Sequence, residues 1–146
     1  MPYLCVSSLY NIRYDENGLS CGCDLIETKY FEGIGCEVEF VRYLTSAVPP
    51  KTTCFSHNGA AFDNVFLINS LYKLPILPEL LVNGTKFVQI NLVNREIRLL
   101  DSFSYIPFAL RKFGKIFGIR DEKTWFPHRL VTSANLYTKF VKYPST

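Results

Sequence analysis

Thr52-Thr53-Cys54-Phe55-Ser56-His57-Asn58-Gly59-Ala60-Ala61-Phe62-Asp63 changes its chemistry twice in a short span. Thr52 to Ser56 is β-branched and aromatic, which reads as a buried strand. His57 to Ala61 reads as a turn of small residues around Gly59. From about Asp63 to Lys73 a helix is expected, broken by Pro75 and Pro78. Strand, tight turn and helix in that order put the Asp63 carboxylate at a junction. A carboxylate there can reach a bound cation, and small residues let a ligand approach the backbone. The plainer reading makes Asp63 a helix N-cap and leaves Gly59 to form the turn.

A second junction follows. Phe87 to Leu92 and Glu96 to Leu100 read as two strands of a hairpin around Val93-Asn94-Arg95. The second strand delivers Asp101 and Ser102 at its end. Two junctions form one site if their strands lie side by side. Ser104 is then expected to cap a helix. In it Ile106, Ala109, Leu110, Phe113, Ile116 and Phe117 recur at offsets of three and four, making one apolar face. Arg111 and Lys115 point away from that face, and Gly118 is a natural stop.

Working outward, Tyr3 to Leu9 reads as a strand and the polar stretch Asn11 to Cys23 as a loop. Tyr30 to Glu32 reads as a short strand. Cys36 to Leu44 reads as a short helix ending before Pro49-Pro50. Trp125-Phe126-Pro127-His128 is a compact aromatic patch, and the tail from Thr132 has no clear period. Mixed strands and helices place the chain in the α/β or α+β class.

Composition agrees with one domain. The 146 residues are 48% hydrophobic and 15% aromatic, enough for a single core. No apolar run is long enough to cross a membrane. The formal net charge is +3, which permits nucleic-acid binding without arguing for it. The basic residues gather late: Arg95, Arg98, Arg111, Lys112, Lys115, Arg120, Lys123, Arg129, Lys139 and Lys142. The start Met1-Pro2-Tyr3-Leu4-Cys5 has no secretory pattern, so an intracellular location is expected. Cys5, Cys21, Cys23, Cys36 and Cys54 are then expected as free thiols. A zinc site from Cys21, Cys23, Cys36 and His57 can be drawn, but its spacing fits no common pattern.

Phe55-Ser56-His57-Asn58-Gly59-Ala60-Ala61-Phe62-Asp63-Asn64-Val65-Phe66 resembles the second exonuclease motif of protein-primed B-family DNA polymerases, the enzymes of viruses, linear plasmids and Maverick-type elements. Leu99-Leu100-Asp101-Ser102-Phe103-Ser104-Tyr105-Ile106-Pro107-Phe108-Ala109-Leu110 resembles the segment that follows it there. Lys115 to Ile119, Trp125 to His128 and Pro2 to Val6 continue the likeness in order.

The resemblance implies an α/β, RNase H-like 3′→5′ exonuclease domain that is incomplete. The first motif, Asp-x-Glu on a strand, and the third, Tyr-x-x-x-Asp, are missing from the chain. It implies a single partial domain over 1–146. Residues 1–50 would hold an N-terminal strand and insertion, 51–118 the second motif, hairpin and helix, and 119–146 an irregular tail. Asp63 would be catalytic and a ligand of Mg²⁺ or Mn²⁺. His57, Asn58, Phe62, Ser102 and Phe103 would hold the 3′ end of single-stranded DNA. The rest of a polymerase and a terminal priming protein would be partners. One aspartate does not offset two cations, so the chain alone is expected to lack nuclease activity. The alternatives are a non-catalytic single-strand-binding module or decayed relic, and a thiol or zinc protein.

Overall fold

Residues with a strict two-residue alternation bury one side of a strand and leave the other to water. Ile97-Arg98-Leu99 follows that rule, and in the computed structural model Ile97 is 0% and Leu99 6% exposed while Arg98 is exposed. The structure describes Pro2 and residues 4–119.

Strands β3 (Thr53–Ser56), β4 (Glu79–Asn83), β5 (Lys86–Leu92) and β6 (Ile97–Asp101) form one sheet in the order β3-β6-β5-β4. The pairs β4/β5 and β5/β6 are antiparallel, and β3/β6 is parallel. A parallel pair needs a crossover, here supplied by helix α2 (Asp63–Lys73) and the β4–β5 hairpin. The helix and both strands of the expected β5–β6 hairpin stand where the sequence places them. Strand β4 does not follow from the sequence reading. Its turn into β5 uses Gly84 at φ 61°, a left-handed conformation that glycine adopts freely.

Helix α1 (Cys36–Ser46) turns Cys36, Val41, Tyr43 and Leu44 inward. With Ile68 and Leu71 of α2 and Ile90, Leu92, Ile97 and Leu99 of the sheet, Val41, Tyr43 and Leu44 form one core. Lys73 reaches Glu37 at 3.9 Å and ties the two helices together.

The stretch expected as a loop from Asn11 to Cys23 is instead part of a long antiparallel hairpin. Strand β1 (Leu4–Tyr14) pairs with β2 (Ser20–Glu32), which extends well upstream of the short Tyr30–Glu32 strand expected. Its turn is self-contained. The Asp15 carboxylate accepts the N–H groups of Asn17 and Leu19 at 2.9 and 2.8 Å, and Gly18 takes φ 76°. The polar residues that suggest a loop are those of a strand with water on both sides. Leu9 and Phe31 pack on the core and anchor the hairpin. Tyr43 on α1 donates a hydrogen bond to Glu27 at 2.5 Å, and Lys29 lies 4.3 Å over its ring.

The amphipathic helix expected from Ser104 to Gly118 is broken. Ser102–Ser104 and Leu110–Lys112 are single 3₁₀ turns, and only Phe113–Phe117, α3, is α-helical. Pro107 explains the break: it lacks an N–H and disfavours helical backbone at Ile106. The apolar face disperses with it. Ala109, Leu110, Ile116 and Phe117 are exposed, and Ile106 and Phe113 are half-buried. Ser104 caps nothing, and the Asp101 side chain caps the first 3₁₀ turn through the Phe103 N–H. Gly118 ends α3 at φ 65°, as expected. The aromatic patch at Trp125–His128 and the rest of the tail lie outside the described residues.

Candidate nucleic-acid interface

The parallel pairing sets Ser56 opposite Asp101. The two strand-to-helix junctions read from the sequence therefore come together at one end of the sheet. Asn58 takes φ 66°, and Gly59–Ala61 forms a 3₁₀ turn leading into α2. Asparagine tolerates the left-handed region better than most residues. Gly59 is required for another reason: a Cβ there would meet Ser56 Oγ at 2.0 Å and Ser56 Cβ at 2.9 Å.

Asp101, 3% exposed, holds the two junctions together. Its Oδ1 accepts the Asn58 N–H at 2.8 Å and the Phe103 N–H at 2.9 Å, and Oδ2 accepts the Ala60 N–H at 3.1 Å. Asn64, 2% exposed, donates to the Phe87 carbonyl at 2.5 Å and fixes the start of α2 to β5. Asn64 does not stand out as functional in the sequence. The only signal for Asp101 is its place at a strand end.

His57 is enclosed. Its Nε2 lies 2.8 Å from the Phe108 carbonyl, which can only accept, so this nitrogen carries a proton. Its Nδ1 lies 3.0 Å from Ser102 Oγ, and that hydroxyl is also 3.1 Å from the Ser56 carbonyl. The rings of Phe103 and Phe113 meet the imidazole edge-on at 5.5 and 5.0 Å. Both ring nitrogens and the Ser102 hydroxyl are thus engaged within the chain. Asn58, Ser102 and Phe103 are half-buried, while Phe62 and Asp63 are exposed at the surface.

Asp63 is the first residue of α2 and not its cap, a position held by Phe62. Its carboxylate has no hydrogen bond or ion pair among the described residues. Burial against the turn, and then the charge of Asp101, push its carboxyl above the usual carboxylate range. Burial also pushes the thiols of Cys5 to about 12 and Cys54 to about 11, with the charge of Asp63 among the lesser causes at Cys5. Arg111, Lys112 and Lys115 are exposed around Phe113.

The donors do not make a complete divalent-cation site. Asp101 is buried and turned onto three backbone N–H groups, and Asp63 is the exposed carboxylate at this end. No three His, Cys, Asp or Glu side chains gather as a metal site among the described residues. The zinc set fails on this test too: Cys21 and Cys23 are exposed on β2 while Cys36 is buried on α1.

With this geometry in hand, the likeness to known proteins can be placed on it. The profile of the family described as DNA polymerase type B, organellar and viral, matches residues 44–145. The chain belongs to the type B DNA polymerases. That match takes in both junctions and the part of the core built by α2 and the four-stranded sheet. A DNA polymerase of Kluyveromyces lactis is 25% identical over 154 residues, covering 99% of this chain and 14% of that relative. The chain thus spans a small part of that relative's length. No solved structure matches it. Among the described residues no helix is long and apolar enough to cross a membrane.

Proposed function

We propose that this chain is part of the proofreading 3′→5′ exonuclease region of a protein-primed type B polymerase, and that it binds the 3′ end of single-stranded DNA. The observation that carries the reading is the meeting of the two junctions at one sheet end. There an exposed aromatic, Phe62, and an exposed carboxylate, Asp63, stand beside the enclosed His57–Ser102 pair. Phe62 offers a base a stacking face, which is tolerant of sequence. Asn58, Ser102 and Phe103 line the same end and would hold the terminal nucleotides. His57, with both nitrogens engaged, would shape the wall rather than donate to DNA. Arg111, Lys112 and Lys115 would meet phosphates.

The RNase H-like reading adds a strand beside β3, which among the described residues pairs with β6 alone. That strand would bring the carboxylates this chain lacks. Asp63 would then be one ligand of a Mg²⁺ or Mn²⁺ site completed by other parts of the polymerase. In this proposal the whole of 1–146 is one partial domain, with the rest of the polymerase and a terminal priming protein as its partners. By itself the chain binds and does not cut.

Fluorescence anisotropy with a labelled single-stranded oligonucleotide tests the reading. Binding should weaken as salt rises, and Phe62→Ala should cost about 1–3 kcal/mol of affinity. No binding at low salt, or binding indifferent to both Phe62→Ala and Asn58→Ala, would sink it. Magnesium-dependent nucleotide release by the pure chain, lost in Asp63→Ala, would overturn the claim that it does not cut.

A further inference from the structure

Asp101 sits at the end of the central strand β6, one residue before a residue assigned above to DNA contact. It is a buried carboxylate that meets no cation among the described residues. It faces three backbone N–H groups that come from two separate segments, Asn58 and Ala60 on one side and Phe103 on the other. Asn58 is the N-cap of one 3₁₀ turn, Ala60 lies in that turn and Phe103 in another, so none of the three N–H groups finds a partner within its own turn. We infer that Asp101 is the positioning residue of the single-strand site: it sets the backbone from which Asn58, Phe62 and Asp63 project.

Acceptor capacity sets the carboxylate apart from its amide. A carboxylate has two acceptor oxygens and no hydrogen to place. Oδ1 takes two N–H groups and Oδ2 takes one. A carboxamide of the same shape keeps one acceptor oxygen and turns an NH₂ group on the third N–H. In Asp101→Asn that leaves either Ala60, or both Asn58 and Phe103, facing a donor. Asn58 is the residue with φ 66°, so a lost hold on its N–H frees the turn to leave the left-handed region. Phe62 and Asp63 follow directly and would be re-aimed. The change is local: Asp101 contributes no apolar side chain to the core, whose centre is built by Ile90, Ile97 and Leu99.

This inference rests on the single-strand reading, and the experiment separates the two. Amide hydrogen exchange on the full chain reads the turn without DNA. Asn58, Ala60 and Phe103 should be protected in the wild type. In Asp101→Asn, protection at Ala60 or at the other two should fall about tenfold or more, the equivalent of one hydrogen bond to a charged group. Amides of β5 should be unmoved. Oligonucleotide affinity should fall about tenfold in Asp101→Asn, and Asn58→Ala added to it should cost little more, because both act through one turn. If Asp101→Asn does not fold, exchange of the wild type in low urea replaces it: Asn58, Ala60 and Phe103 should open together as one unit, and separate opening of the two segments would overturn the inference. Unchanged exchange in a folded Asp101→Asn protein, or fully additive losses with Asn58→Ala, would overturn the inference. Altered exchange together with a wild type that never binds DNA would keep Asp101 as holder of the turn and overturn both its site role and the reading it serves.

Discussion

The β1–β2 hairpin and the four-stranded sheet use strands for opposite ends. The sheet is packed: Ile90 and Ile97 are fully buried and both junction loops are tied down by side chains. The hairpin is longer, yet Val6, Tyr10, Ile12, Tyr14, Leu25 and Tyr30 are about half exposed or more. Its base is tied to the core by Leu9, Phe31 and the Tyr43–Glu27 bond, while its far end has only local bonding, the Asp15 turn and the exposed Arg13–Asp24 pair at 3.1 Å. The apolar surface that a second layer would cover stays open. Strand length therefore says little about where this molecule is rigid, and covered area says more.

Five measurements break or sharpen that contrast. The largest effect is expected at the sheet's centre, where Ile97→Ala should cost about 2–5 kcal/mol in urea unfolding. A cost as small as that of a hairpin substitution would undo the distinction. Next is the junction: Gly59→Ala must displace Ser56, and should cost about 1–3 kcal/mol with loss of oligonucleotide binding. A stable, fully binding variant would mean that the turn yields easily.

A smaller effect of opposite sign is expected at Asp63. Its carboxyl is raised in the folded chain, so folding favours the protonated form. The stability this adds is fully present below the ordinary carboxylate range and is lost as pH rises through the raised value. Ionised Asp63 is therefore a net cost at neutral pH. Because water screens an exposed group, Asp63→Asn should raise the melting temperature by no more than about 2 °C at pH 7, with no gain at pH 3. A fall at pH 7 would show that the charge is already compensated. Least of all, Ile12→Ala on the hairpin should change stability by under about 0.5 kcal/mol. Thiol labelling maps the same contrast: Cys21 and Cys23, exposed on β2, should react well before Cys36 and Cys54.

The parts of the fold legible in the sequence are those whose neighbours in space are neighbours in sequence. Helix α2 runs from Asp63 to Lys73 as expected because its start follows a tight turn and Pro75 stops it. The β5–β6 pairing is legible from a short turn between two β-rich runs. Periodicity misleads from Ser104 to Gly118, where a clean apolar stripe loses to one proline. It misleads again at Asn11 to Cys23, where polar residues line a strand that buries little. Strand β4 follows Pro78 and carries no alternation to reveal it. At the candidate site, Asn58, Phe62, Asp63, Ser102 and Phe103 are suggested by residue type and resemblance. The role of Asp101 is not, because its three partners become its neighbours only once β3 and β6 lie side by side.

That side-by-side pairing also orders events in time. Arg98 lies 45 residues after its contact Thr53. At typical synthesis rates of about 5–20 residues per second, β3 leaves the ribosome some seconds before β6 exists to receive it. During that interval Phe55 and the Asn58 turn have no partner strand and no carboxylate to fold around. A ribosome stalled between these two points would present the turn unformed, and the last step of its construction would be the arrival of Asp101.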